Sequence, residues 1–583
     1  MKADRLLALY EKVAEAPDAI ARLRRFVLDL AVRGKLIEQD PADEPASELL
    51  KRIAAEKARL MTAGEIRKPK PTEPIQPDDV PFELPRSWRW VRLSDILTKL
   101  TDGTHHSPPN GPEGDFLYIT AKNIKDDGVK LDDVSYVSSK VHEEIYARCN
   151  PEPGDILYIK DGATTGIVTV NDLKEPFSML SSVALLKLPP CIYNQLIVRF
   201  LRSPFFYEQM RSFMKGAAIT RVTLKRMGPA LLPLPPLAEQ RRIVAKVEEL
   251  MALLDRLEAA RTAREATRDR LTAASLARLT APETDQSGFE ENARFTLDVL
   301  PALTTRPDQI KPLRQTILNL AVRGKLVAQD PTDEPASELL TRIHGNRIHK
   351  RKFAQLNSEE LEIEPPSLPS GWLWTVVDQT AADDSRAITD GPFGSQLKTA
   401  HYIERPGFRV IRLQNIAAGQ FRDEHRSYIN ESRFKELANH HVVPGNLVVA
   451  GLVDPNVRCC EVPDNIGPAL VKADCYRFAV HPDLDHRFAL HYLNSPLAQE
   501  FALTHHHGMT LTRIGLGNFR KLPFPLPPLA EQHRIVAKVD ALMALCDRLE
   551  AALTTADTTS TRLLEALLHE ALEPANDAME AAE

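Results

Sequence analysis

The chain has 583 residues, of which 43% are hydrophobic and 26% charged, with a formal net charge of −6 at pH 7. Such a length exceeds one hydrophobic core and predicts three or more domains, and no apolar run is long enough to span a bilayer. The six cysteines form no C-x-x-C pair, which argues against a disulfide framework or a zinc site and predicts a cytoplasmic location.

The predicted elements run in a fixed order. An N-terminal helical segment covers 1–62, with Met1 to Tyr10 reading as the start of an amphipathic helix and not as a signal peptide. Asp18 can cap a helix through Leu30 and Val32 that Gly34 stops, and a second helix starts near Pro45 and runs through Leu49, Ile53 and Leu60. A linker rich in proline and charge occupies 63–83. A mixed insert follows over 84–235, with strands at Phe116 to Ile119 and Asp155 to Ile159 and a helix over Asn194 to Met214. The prolines of Leu232 to Pro236 end the insert, and a long helix begins at Leu237 within the segment 236–280. Ile243, Val247, Leu250, Leu254 and Leu257 alternate four and three apart, a heptad stripe. Unbroken to Arg278, that helix would be roughly 60 Å long. A linker at 281–307, a helical segment at 308–345 and a linker at 346–367 lead to a second insert, 368–527. A second long helix (528–573) and a tail (574–583) complete the chain.

This order is one plan used twice. Leu23 to Ile53 realigns on Leu313 to Ile343 with 23 of 31 positions identical, and Pro233 to Ala260 on Pro525 to Ala552 with 24 of 28. Between these blocks the copies diverge. Two matched frames carrying unlike inserts suit an object with two unlike halves, and two matched stripes suit helices that pack on each other.

Signals for catalysis are weak. Asn150-Pro151-Glu152-Pro153 lacks the second proline and the aromatic ring of an amino-methyltransferase loop and reads as a turn. Gly515-Leu516-Gly517 has no third glycine and no preceding strand, and no phosphate-binding G-x-x-x-x-G-K-S/T occurs. Asp155, Asp172 and Lys174 have a nuclease-like spacing that arises easily by chance among 80 acidic and 74 basic residues. His505-His506-His507 lacks a carboxylate or cysteine partner for metal. Two basic strips stand out on the acidic whole: Arg211 to Arg226, with no acidic residue, and His505 to Lys521.

The matched blocks resemble the specificity subunit of type I restriction-modification systems. Leu30-Ala-Val-Arg-Gly-Lys-Leu36, Asp43 to Leu50 and Pro233-Leu-Pro-Pro-Leu-Ala-Glu-Gln240 carry the likeness, with their copies at Leu320, Asp333 and Pro525. So do the openings of the inserts: Leu84-Pro85 with Trp88 and Trp90, and Leu368-Pro369 with Trp372 and Trp374. Asp102-Gly-Thr-His105, Lys160-Asp-Gly-Ala163 and Asp390-Gly-Pro-Phe-Gly-Ser395 follow. The resemblance implies an α+β chain. Two mixed α/β target recognition domains would be separated by long antiparallel coiled-coil helices in a pseudo-two-fold repeat. It also implies a subunit without chemistry of its own, each domain reading half of a split, asymmetric site in double-stranded DNA. Two methyltransferase subunits would bring S-adenosylmethionine to adenine, and restriction subunits would use ATP and Mg. The chain itself would bind no cofactor. A coiled-coil scaffold and a stand-alone DNA-modifying enzyme are the alternatives.

Base readout needs side chains that donate and accept at base edges. The candidates in the first insert are Thr104, His105, His106, Lys122, Asn123, Lys160, Thr164, Thr165, Lys215, Arg221 and Thr223. Those in the second are Gln396, Lys398, Arg412, Gln414, Asn415, His506, Thr510 and Arg513. The four tryptophans are expected in cores.

Overall fold

The computed structural model describes residues 16–66, 73–213, 221–280, 286–348, 352–356, 363–452, 457–504, 506–507 and 513–572. The expected helix at Met1 to Tyr10 lies outside them. The chain divides into two units, one of residues 1–263 with 557–583 and the other of 264–556.

In the first unit, helix Ala19–Val32 ends before Gly34, and helix Ala46–Thr62 follows. Gly34 has φ +67, and a Cβ there would meet Pro85 Cγ at 2.5 Å. Both facts demand glycine at the helix stop. The second unit repeats this at Gly324, with φ +66 and Pro369 Cγ at 2.3 Å.

Each insert closes on itself. The strand Arg89–Arg92 that opens the first pairs antiparallel with Leu231–Leu234, which ends it. In the second, Leu373–Val376 pairs with Pro523–Leu526. These ribbons have two strands each, so Pro233 in the first and Pro523 and Pro525 in the second sit where no further strand needs their missing N–H. Inside the first insert a four-stranded antiparallel sheet runs Lys99–Asp102, Val183–Lys187, Ile156–Ile159, Val168–Val170. The second has the same arrangement in Ile388–Asp390, Cys475–Phe478, Leu447–Ala450 and Cys459–Glu461. Beside these lie a three-stranded sheet in the first insert and a five-stranded one in the second, so the copies differ most in their second layer.

Frame and insert share one core. Val27, Ala31, Leu49 and Ile53 of the frame helices cluster with Phe200, Leu196 and Leu186 of the insert and with Ile243, Val247 and Leu254 of the long helix. The first turns of the heptad stripe are therefore buried in their own domain. Farther along, the helix Leu237–Thr280 passes into the second unit. There Leu276 and Leu279 join Ile310, Leu313 and Cys546 in one cluster. The second long helix, Leu529–Leu572, likewise ends in the first unit, where Leu564 and Leu567 bury Ala16 and Ala19.

The repeated motif residues make repeated contacts. Trp88 Nε1 donates to Glu239 Oε2 at 2.9 Å, and Trp372 Nε1 to Glu531 Oε2 at 2.9 Å. Gln240 accepts the N–H of Tyr193 and donates to Pro235 O, both at 3.0 Å; Gln532 does the same with Asp485 N (3.0 Å) and Pro527 O (2.9 Å). Arg242 pairs with Asp43 and Arg534 with Asp333. Arg24 reaches Asp255 and Glu258, as Arg314 reaches Asp547 and Glu550. The Leu-Ala-Glu-Gln motif is thus the joint at which long helix, insert and frame meet.

Two expectations change. The helix expected over Asn194 to Met214 is two, Asn194–Leu201 and Pro204–Ser212. Pro204 cannot continue the first, and Ser203 Oγ accepts Phe206 N to cap the second. The expected linker 281–307 contains a helix, Gln286–Leu303, because Phe289, Ala293 and Leu300 give it an apolar stripe that packs on Leu276 and its cluster.

One position differs instructively between the copies. Burial pushes the Asp29 carboxyl up to about 6, against the nearby Arg33 and the Phe205 N–H it accepts. The equivalent residue is Asn319, which accepts from Arg323 Nε at 2.8 Å. Because the folded chain holds this proton more tightly than the unfolded one, Asp29 opposes folding increasingly as pH rises from about 4 through about 6. Asp29→Asn should therefore stabilise the first unit by about 1–2 kcal/mol at pH 7, with the gain shrinking toward pH 4.5 in thermal shift measurements. Glu531→Ala leaves the buried Trp372 indole without its acceptor and should cost about 1–3 kcal/mol in denaturant titration.

Candidate nucleic-acid interface

Antiparallel pairing brings three loop starts to one end of the first insert's sheet. Asp102 pairs with Ala184, Ala184 with Tyr158, and Val183 with Ile159, so loops 103–111, 160–167 and 180–182 emerge together. Backbone contacts knit them: Thr104 N donates to Met179 O, Ser181 N to Thr104 O, Lys160 N to Ser182 O, and Val222 N to Lys160 O. The last places Arg221 at the same lip. Gly103 is needed because a Cβ would lie 1.8 Å from Met179 O. In the second insert Gly391 follows Asp390 for the same reason, its Cβ falling 2.0 Å from the Lys472 carbonyl carbon.

Charge concentrates at the first lip. Lys160 is buried, with Nζ 3.4 Å from Asp102 and 3.4 Å from Asp161. Arg148 Nη2 lies 2.5 Å from Asp102 Oδ1 and 3.0 Å from His105 Nε2. Arg221 Nε is 3.2 Å from Asp161. At the second lip, Arg513 is 3.5 Å from Asp474, which holds φ +65, the only positive value for a non-glycine among the described residues. Lys472 Nζ donates to Leu397 O and stands 5.8 Å over the Tyr402 ring, with Arg412 6.0 Å from the same ring. Burial, and then the neighbouring Arg412, lower the Lys472 ammonium. The two lips occupy equivalent positions on equivalent sheets and carry different side chains.

The sequence candidates divide by geometry. His105, His106, Thr164, Arg221 and Thr223 are exposed, and Thr104 is half-buried, donating to His106 O. Gln396, Lys398, Gln414 and Arg513 are exposed, and Arg412 is half-buried. Lys122 is exposed and pairs with Asp133 at 3.0 Å. Lys215 and Thr510 lie outside the described residues, and of His506 only the backbone strand is described.

Asn123, Asn415, Thr165 and Lys160 do not present themselves. Asn123 accepts Thr120 N and donates to Lys130 O and Asp133 O; Asn415 accepts Arg412 N and donates to Arg422 O and His425 O. Each closes a turn from within, 2% and 0% exposed. Thr165 Oγ1 is bound to Gly162 O, and Lys160 serves the buried ion cluster. Arg148 was not singled out by sequence, since it lies 46 residues from Asp102 and only the topology joins them. Asp155 is held by Lys187 at 2.8 Å and caps Glu152 N, a turn role. No group of three or more potential metal ligands occurs among the described residues. No described helix is long and apolar enough to cross a membrane.

Two segments, residues 85–264 and 421–556, match the model of the type I restriction modification DNA specificity domain. Together they cover more than half of the chain. The chain belongs to the type I restriction-modification specificity family. It is 28% identical to the type I restriction enzyme EcoEI specificity subunit of Escherichia coli, over 95% of this chain and 94% of that one. It is 29% identical to the EcoAI specificity subunit of the same organism, with the same coverage. Among solved structures, the HsdS subunit of Thermoanaerobacter tengcongensis is 18% identical, with a TM-score of 0.38 over 84% of this chain and 98% of that one. A chain from a structure of type I R-M complex assembly and conformational transition is also 18% identical, with a TM-score of 0.47 over 85% and 99%. The chain is a mixed helix-and-strand member of that family, and its first matched segment runs into the 44-residue helix Leu237–Thr280.

If the two asparagines are turn formers and not readers, Asn123→Ala and Asn415→Ala should each lower stability by about 1–3 kcal/mol. Sequence preference in a DNA-selection assay should be unchanged.

Proposed function

We propose that this chain is the DNA-reading subunit of a type I restriction-modification assembly. Each insert reads one half of a bipartite, asymmetric site, and the chain performs no chemistry itself. The reading is carried by the pair of equivalent lips: the same sheet end on the same frame, furnished with unlike side chains. Unlike half-sites require unlike donors and acceptors at base edges, while the joint beneath them has no reason to vary. In the first insert the readers are drawn from Thr104, His105, His106, Thr164, Arg221 and Thr223. In the second they are drawn from Gln396, Lys398, Arg412, Gln414 and Arg513. Lys122 serves as a phosphate contact. Lys215, His506 and Thr510 belong to the basic strips and extend the same surfaces.

The partners in this reading are two methyltransferase subunits, which hold S-adenosylmethionine and flip out adenine, and restriction subunits using ATP and Mg. Methyltransferases dock on the repeated helical frame. The segments Gln39 to Pro45 and Gln329 to Pro335 favour this: they match at six of seven positions, all but Asp43 and Asp333 are exposed, and such a repeated surface in two otherwise diverged copies suits two copies of one partner. Residues 84–235 and 368–527 are the two reading domains, and the long helices set the unread spacer.

Sequencing methylated adenines in DNA from cells carrying this chain with its partners should give a split motif with two unlike halves; a continuous motif or none would overturn the reading. Arg221→Ala with Arg513→Ala should weaken DNA binding and reduce the slope of log affinity against log salt by up to about 2. Co-purification with the methyltransferase subunits should be intact.

A further inference from the structure

The first lip holds more positive charge than its own carboxylates neutralise. Asp102 and Asp161 supply two negative charges; Lys160, Arg148 and Arg221 supply three positive ones, and His105 stands beside them. The centre of the cluster is dry, since Asp102 and Lys160 are each 3% exposed. Its outer members are the two arginines, about half exposed at 51% and 53%. Desolvated ion pairs are sustained only when geometry is good and the cations are matched. A buried Lys160 shared between two aspartates leaves each aspartate with one more valence, and an arginine occupies it. The surplus charge is therefore pushed outward onto guanidinium groups that face solvent.

Arg148 differs from Arg221 in how it is held. Only its Nη2 is tied, to Asp102 and His105, and among the described residues Nη1 and Nε make no contact. A phosphate contact requires charge but little orientation, and a mobile lysine meets it well. A guanidinium fixed by one nitrogen and half exposed has donors left to match the paired acceptors O6 and N7 of guanine in the major groove. The second insert has no such device: the strand corresponding to Ile156–Ile159 ends at Ala450-Gly451 and carries no buried lysine there.

Building on the DNA-reading function proposed above, we infer that Arg148 reads a guanine in the half-site of the first insert, with Asp102 as its positioning residue. Arg148 is the reader that this geometry adds. Lys160 acts beneath it by holding Asp102 in place without reaching DNA. Discrimination in the first half of the site is thus set by a buttressed arginine.

The test is selection from a pool of randomised duplexes by the full chain assembled with its methyltransferase subunits, for the parent, Arg148→Lys, Arg148→Gln and Asp102→Asn. Arg148 is solvent-facing, so its variants keep the fold, which melting temperatures check. Both Arg148 variants are expected to lose about tenfold or more of the preference for guanine at one position, with the other half of the motif unchanged. Arg148→Lys, which keeps the charge, should leave the salt slope as in the parent. Asp102→Asn should relax the same position and add nothing when combined with Arg148→Gln, an outcome that general loss of structure would not give. An unchanged motif in Arg148→Gln overturns the inference. So does a uniform loss of affinity across all sequences with a shallower salt slope, which would make Arg148 a phosphate contact, or a relaxed position that is not guanine in the parent. A parent that selects no motif at all would instead sink the DNA-reading function on which the inference stands.

Discussion

The structure depends on a hydrogen bond between an indole and a carboxylate, made twice. Glu239 and Glu531 are 1% exposed, and each accepts the N–H of a tryptophan that opens an insert. Burial raises both carboxyls, while the tryptophan and the neighbouring glutamine (Gln39 or Gln329) oppose that rise. A buried carboxylate with donors already in place fixes the long helix against the insert at one rotation only. The adjacent Gln240 and Gln532 bind backbone on both sides of the same joint. With the glycine stop of the frame helix jammed against Pro85 or Pro369, the start of each long helix has no freedom to turn.

That rigidity gives the sheet ends their meaning. The lips are carried on strands whose other ends run into the shared core, so loops such as 103–111 are displayed from a fixed base. Sites mounted on rigid elements hold their side chains within tighter limits than sites on free loops. The first lip adds a buried ion cluster, and the second uses Tyr402 as a platform under Arg412 and Lys472. The two inserts therefore reach a similar geometry by different chemistry.

Much of this was legible in the sequence, for a definite reason. The repeat located the frame, because the contacts that hold it join residues of the repeated motifs to one another: Gly34 with Pro85, Trp88 with Glu239, Arg242 with Asp43. Several helix limits followed from glycine and proline, although Asp18 makes no side-chain cap and instead accepts from Arg22. The lips were legible only in part. Asp102-Gly103 and Lys160-Asp161 stood out as short motifs, but motif matching does not tell which way a side chain points. Asn123 and Asn415 turned inward to close turns, whereas Arg148 came to the surface from a helix end with no motif of its own. The helix Gln286–Leu303 was missed because Pro301 lies inside it and reads as a breaker.

Closure of each insert by its own first and last strands has an evolutionary consequence. Arg89–Arg92 and Leu231–Leu234 leave the domain side by side, so the chain enters and exits through one doorway. A foreign insert spliced between those strands would not disturb the path of the frame. The shared core sets the terms of such an exchange: a newcomer must bring a helix that offers the equivalents of Leu196 and Phe200 to Val27 and Ile243. Lineages can then trade specificities wholesale while inheriting the joint unaltered.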